Sequence, residues 1–313
     1  MKQKLDLSDK NNWKGLWTAI VTPFLKTDKS YSIDKDSLKK LIEYQIESGV
    51  DGLVLAGSTG EGSLLGKDRY RELLKMGLEI AAKRIPIIAG LGIGGTESAL
   101  ELGMIAKECG VQGLLAAPPA YIKAPQRELV KHFLEIAKLG LPVCLYEIPG
   151  RAAQSIALST LEEITKSSLP HAANIVAIKD ASGDMIRGLE TAKRFSNRLA
   201  CLSGDDCTYV SYLAMGGNGV VSVVSHLVPK AMKKIEKLFQ QGKNQEAFEI
   251  QKTIQPLIDA CFYESNPIPV KTLVSDLGLC REPVFLPPLG PMDKEKHLLA
   301  KNLMTTIRER VEN

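Results

Sequence analysis

The chain has 313 residues, 44% of them hydrophobic and 24% charged, which suits a globular protein with room for one large α/β domain and an appendage. Its 40 basic and 36 acidic residues give a net charge of +4 and are mixed along the whole length, whereas a nucleic-acid binder clusters its basic residues on one element. No apolar run approaches the roughly 18 residues of a membrane span, and the polar start "MKQKLDLSDKNNWKG" has no signal-peptide core, so a cytoplasmic location is expected.

Short apolar runs rich in Val, Ile and Leu recur in chain order: "LWTAIVTPF", "GLVLAG", "IPIIAGLG", "GLLAAPP", "LPVCLYEIP", "IVAIKD", "ACLSGDD" and "GVVSVVS". Each is too short and too continuously apolar for an amphipathic helix and fits a strand covered on both faces. Between them the spacing turns helical. Leu38, Leu41 and Ile42 share one face of the first such segment, Leu102, Ala106 and Cys109 one face of the third, and Leu129, Phe133 and Ile136 one face of the fourth. Eight strand-helix units predict a closed (β/α)8 TIM barrel over residues 13–238; an open doubly wound sheet fits less well, because eight near-equal units is the barrel's count. The glycines of "GLGIGG" follow the third strand, but no acid ends a strand about 20 residues later, so a dinucleotide fingerprint is a poor reading. After the eighth strand only helical patterns remain. Residues 239–313 are expected to form a C-terminal helical extension packed on the barrel or on a neighbouring subunit.

The six cysteines, Cys109, Cys144, Cys201, Cys207, Cys261 and Cys280, form no CxxC and read as reduced thiols. His132, His171, His226 and His297 form no HxH or HExxH, which leaves a zinc site unsupported. In a barrel of this kind the active site lies at the C-terminal ends of the strands. The polar residues there are Thr22, then Ser58, Thr59 and Glu61 in "GSTGEG", Tyr121, Tyr146 with Arg151 beyond it, Lys179, and Asp205 with Asp206. Lys179 stands out, because four apolar residues lead into it and Asp180, pointing to the opposite face, is a poor partner. An amine attacks a carbonyl only when neutral, and burial in apolar surroundings raises that fraction by orders of magnitude. A strand-end lysine paired with an acid is the bland alternative, and the location favours a Schiff-base nucleophile. Tyr146 can both donate and accept a proton, although a strand-end tyrosine alone is more often a core residue. "GSTGEG" offers backbone N–H groups and two hydroxyls suited to a carboxylate or phosphate, or is merely a Gly-rich turn. Arg151 could bind a carboxylate bidentately or lie on the surface. Adjacent acids face opposite ways, so turn and cap roles suit "SGDD" better than metal binding.

From "TAIVTPF" through "GSTGEG", "YEIPGR", "IVAIKDASG", "LSGDD" and "GVVSVVS" to "NPIPVK", the chain resembles the dihydrodipicolinate synthase family, within the wider group of pyruvate-dependent Schiff-base aldolases and lyases that includes N-acetylneuraminate lyase. The resemblance implies that Lys179 forms an imine with pyruvate, that the derived enamine attacks aspartate semialdehyde, and that ring closure releases 4-hydroxy-tetrahydrodipicolinate for lysine and diaminopimelate biosynthesis. It further implies a proton relay of Tyr146, Thr59 and Tyr121, the last from a neighbouring subunit. Ser58 and Thr59 would hold the pyruvate carboxylate, Arg151 the carboxylate of the aldehyde, and Gly204 with the Val221 carbonyl would line the pocket. No metal or organic cofactor is expected, since the lysine imine is the electron sink. The expected assembly is a homo-oligomer, a tetramer built as a dimer of dimers or a dimer. Alternatives are an aldolase of the same fold acting on a sugar acid, disfavoured by Arg151, and a non-catalytic keto-acid-binding protein, disfavoured by Lys179 and Tyr146. The chain departs from the family pattern in Glu147, which replaces an asparagine and puts a charge either near the site or outward, and in Ala120, Lys67 and Tyr70. An ammonium at position 67 would repel a cationic effector, so lysine feedback is expected to be weak or absent.

Overall fold

The computed structural model describes residues 6–28 and 30–312. Its strands are β1 (Gly15–Ala19), β2 (Phe24–Lys26), β3 (Tyr31–Ile33), β4 (Gly52–Leu55), β5 (Ile87–Gly90), β6 (Gly113–Ala116), β7 (Val143–Glu147), β8 (Ile175–Asp180), β9 (Ala200–Ser203) and β10 (Gly219–Ser222). All but β2 and β3 close into one parallel barrel in the order β1-β10-β9-β8-β7-β6-β5-β4. Every residue of these eight strands is buried, which is why they read as unbroken apolar runs. The eight-stranded barrel expected from the sequence is therefore present.

Alternation along each strand divides the apolar side chains between two cores. Trp17, Val54, Ile88, Leu115, Cys144, Ala177 and Leu202 fill the interior of the barrel. Leu16, Leu53, Ile87, Leu114, Leu145 and Ile178 face the surrounding helices. Trp13 stacks on Trp17 with ring centroids 5.3 Å apart and plugs the N-terminal end of the barrel. Gly52 is required there, because a Cβ on it would fall 2.2 Å from the Trp17 ring.

The helices are α1 (Lys35–Glu47), α2 (Gly66–Ala81), α3 (Thr96–Cys109), α4 (Gln126–Ala137), α5 (Pro149–Ala152), α6 (Leu158–Lys166), α7 (Met185–Phe195), α8 (Tyr209–Ala214), α9 (Pro229–Gln240), α10 (Asn244–Ala260), α11 (Ile268–Asp276) and α12 (Lys294–Val311). Their apolar stripes face the barrel as the spacing predicts: Leu38, Leu41 and Ile42 of α1 and Leu129, Phe133 and Ile136 of α4 are all fully buried. The first helix starts where Asp34 accepts hydrogen bonds from the Ser37 N–H and hydroxyl, at 3.2 and 2.7 Å. The antiparallel pair β2–β3 is not foreseen from the sequence. It pairs three residues with three and buries only Phe24 and Ile33, too few for a period-two pattern to show. Beyond α9, helices α10 to α12 pack against one another and against α9, and α11 reaches over the C-terminal rim of the barrel. No helix among the described residues is long and apolar enough to cross a membrane.

Candidate active site

Lys179 and Tyr146 sit side by side at the C-terminal ends of β8 and β7, directly opposite each other in the ladder. Lys179 lies two residues beyond Ala177 and Tyr146 two beyond Cys144, so both side chains continue the inward-facing rows at the barrel mouth. The Lys179 Nζ is 4.1 Å from the centre of the Tyr146 ring. Both residues are buried, with 4% and 7% of their surface exposed. Asp180 points the other way, as alternation requires; its Oδ1 accepts the Ser182 N–H at 2.9 Å. The amine thus has an aromatic face beside it, and the neighbouring acid is engaged elsewhere.

The "GSTGEG" turn follows β4 and forms one wall. Thr22 donates its hydroxyl to the Gly60 carbonyl at 2.8 Å, fixing the turn from below. Glu61, whose φ of 57° lies in the left-handed region, holds it from the other side. Its carboxylate accepts Lys271 Nζ at 2.6 Å and the Leu286 N–H at 2.8 Å. Ser58 lines the same narrow space as Tyr146, together with Ile93 and Ala117. The Thr59 hydroxyl accepts the side-chain N–H of Asn266 at 3.0 Å. A cleft of about 210 Å³ continues outward from Ser58 to Arg151, Asn266 and Pro288. Arg151, in α5 just after β7, donates to the Asn266 carbonyl at 2.7 Å, which leaves the remainder of its guanidinium for a ligand.

Gly204 directly follows β9, and Val221 lies within β10. A Cβ on Gly204 would meet the Ala181 Cβ at 2.5 Å, so only glycine lets the turns after β8 and β9 approach this closely. Val221 is buried in β10. Asp206 is a cap rather than a metal ligand: its Oδ2 accepts the Val223 and Val224 N–H groups at 2.9 and 2.8 Å. Burial pushes the Asp205 carboxyl up, with the Lys179 charge opposing it. Among the described residues no group of three His, Cys, Asp or Glu is placed to hold a metal ion.

One residue singled out in the sequence does not join this group. Tyr121 is 91% exposed and adopts a φ of 71°, so its ring is held out of its own barrel. Glu147 is resolved as an outward-facing residue, fully buried on the helix side of β7 beside Arg187. Burial pushes its carboxyl up, and the Arg187 charge and the Ile156 N–H pull it back. Lys67 pairs with Glu101 at 2.7 Å, and Tyr70 is buried. Two residues escaped individual notice in the sequence. Asn266 was legible only within "NPIPVK", and Arg187 carried no signal, since its acidic neighbours come from two other elements.

A buried lysine and tyrosine paired at two strand ends, with Ser58 joining the space beside the tyrosine to a cleft that has an arginine on its wall, define a TIM-barrel enzyme working at the C-terminal face of the barrel. The chain matches the Dihydrodipicolinate synthetase family over residues 12–307 and belongs to it. It is 36% identical over 276 residues to the 4-hydroxy-tetrahydrodipicolinate synthase of Magnetococcus marinus, an alignment that spans 88% of this chain and 91% of that one. The structure of the same enzyme from Methylacidiphilum fumariolicum SolV superposes with a TM-score of 0.88 at 35% identity, covering 96% of this chain and 98% of that one. A chloride-inhibited dihydrodipicolinate synthase from Acinetobacter baumannii, in complex with pyruvate, superposes with a TM-score of 0.87 at 36% identity, covering 94% and 98%.

Proposed function

We propose that the chain is a lyase that condenses pyruvate with aspartate semialdehyde through an imine on Lys179, giving 4-hydroxy-tetrahydrodipicolinate for lysine and diaminopimelate biosynthesis. The observation that carries this reading is the buried Lys179 amine lying 4.1 Å from the centre of the Tyr146 ring at the C-terminal ends of β8 and β7. Family membership supports it.

The neutral amine adds to the keto carbon of pyruvate and water leaves, with Tyr146 moving the protons that dehydration needs. The imine draws electrons from the methyl carbon, which loses a proton and becomes the nucleophilic end of an enamine. That carbon bonds to the aldehyde carbon, and the aldehyde oxygen takes up a proton as the product's hydroxyl. The substrate's own amino group then attacks the imine carbon, closes the ring and frees Lys179. In this reading Ser58 and Thr59 bind the pyruvate carboxylate, and Ser58 is the hydroxyl next to Tyr146 because the two line one space. Thr59, the relay member named from the sequence, accepts the Asn266 side-chain N–H and keeps its own proton to donate, but it is Ser58 and not Thr59 that lines the space beside Tyr146. We therefore assign Thr59 to the carboxylate-binding turn, with Gly204 and the Val221 carbonyl as the facing wall. Arg151 takes the carboxylate of the aldehyde substrate. Tyr121 acts in a neighbouring subunit's site, a role supported by its exposed ring and left-handed backbone, a costly conformation for an aromatic residue. The working unit is then a homo-oligomer, at least a dimer and, in our reading, a tetramer. Residues 13–238 form the catalytic barrel, and residues 239–313 an extension that fixes its rim.

The test is borohydride reduction in the presence of pyruvate, followed by peptide mass analysis. A reduced pyruvyl adduct on Lys179, absent from Lys179→Ala, is expected. A folded protein that gives no adduct, or gives one on another lysine, overturns the reading.

A further inference from the structure

We infer that Glu147, acting with Arg187, is a positioning residue for the aldehyde-binding arginine: it fixes the segment 148–155 that carries Arg151. The inference rests on the assignment of Arg151 proposed above. Glu147 ends β7, one residue after Tyr146, and its carboxylate is fully buried on the side of the strand away from the cleft. Oε2 accepts the Ile156 N–H at 2.6 Å. Arg187, from the first turn of α7, lies 3.5 Å from that same oxygen and donates to the Ile156 carbonyl at 2.6 Å. A fully buried carboxylate and a half-buried guanidinium thus grip both backbone groups of Ile156, a residue whose side chain is itself fully buried.

The effect is to join the two ends of a short loop. Residue 148 leaves β7 directly after Glu147, and Ile156 returns to the same carboxylate. Between them the chain makes the single turn of α5 and passes Ala153 at a φ of 58°. Arg151 sits in that turn. Arg187 also stands 3.7 Å from Asp180, so it bridges the end residues of β7 and β8, which pair in the ladder directly after Tyr146 and Lys179. The same side chains that hold the arginine loop therefore back onto the two strand ends that carry the reacting pair. An asparagine at 147 could not form the charged bridge, so the substitution gives this chain its own means of fixing the loop.

The chemistry divides cleanly between the two substrates, which makes the inference testable. Imine formation with pyruvate needs Lys179 and Tyr146; capture of the second carboxylate needs Arg151 in place. In Glu147→Ala, shown to be folded by circular dichroism, the KM for aspartate semialdehyde is expected to rise by roughly ten- to a hundredfold, with trapping of pyruvate by borohydride unchanged. Glu147→Gln, which keeps a carbonyl acceptor for Ile156 but loses the charged bridge to Arg187, should recover only part of that loss and leave a rise in KM of several-fold. In a double-mutant cycle Glu147→Ala should add little to Arg151→Ala, because both act through one contact. A rise in KM of no more than twofold, an equal loss with both substrates, or additivity with Arg151→Ala would overturn the inference. If Glu147→Ala does not fold, the cycle is run with Glu147→Gln and the same criterion of non-additivity decides. Failure of wild-type protein to trap pyruvate would instead remove the proposed function.

Discussion

His226 is held neutral from both sides of its ring. Nδ1 lies 2.7 Å from the Val223 carbonyl and must donate, whereas Nε2 accepts the Val21 N–H at 3.1 Å and must be unprotonated. Burial pushes its pKa down to about 4. The unfolded chain takes up a proton as the pH falls through about 6.5, and the folded protein does not until about 4. The contribution of His226 is therefore complete above pH 6.5 and is lost on the way down to pH 4, a difference on the order of 3 kcal/mol. Urea unfolding across this range should give a steeper fall in stability for the wild type than for His226→Gln, and parallel curves would refute the assignment. At this scale the sequence was most informative about Lys179 and Tyr146, because a polar residue ending an apolar strand interrupts a simple pattern. Asn266 was opaque, because its partner Thr59 is 207 residues away.

Among the elements, α11 and the "GSTGEG" turn depend on each other through one buried ion pair. Lys271 Nζ and Glu61 Oε1 are 2.6 Å apart, and both side chains are fully buried. Phe24 and Phe285 rings lie 4.3 and 5.0 Å from the ammonium. Burial pushes the Lys271 pKa down, and Glu61 opposes the shift. Removing one partner leaves the other charge buried and unpaired, so Lys271→Ala is expected to cost about 3–5 kcal/mol in a urea titration. Loss of less than about 1 kcal/mol would place this pair among the weak surface bridges. The strands and the main helices were readable because each carries a regular period or an unbroken apolar run. The β2–β3 hairpin was not, since three residues per strand cannot establish a period. Nor could the run of helices after α9 say by itself which face of the barrel it covers.

For the molecule as a whole, the proposed function brings the exposed ring of Tyr121 and the buried Lys179 together across two chains. Tyr121→Phe and Lys179→Ala should each be nearly inactive alone. Mixing them under conditions of subunit exchange should restore activity, because a hybrid has one site with an intact lysine and a neighbour's intact tyrosine. Continued silence, in hybrids verified by native mass spectrometry, would mean that Tyr121 serves its own chain or none.

The sequence alone determined the barrel, its eight strands and the lysine, because burial on both faces and local periodicity are written residue by residue. Only the tertiary structure decided what holds the site in shape. The grip of Glu147 and Arg187 on Ile156, the Thr59–Asn266 contact and the Lys271–Glu61 bridge each join residues distant in the chain. Their partners are chosen by how the helices close over the barrel, and no local pattern records that choice.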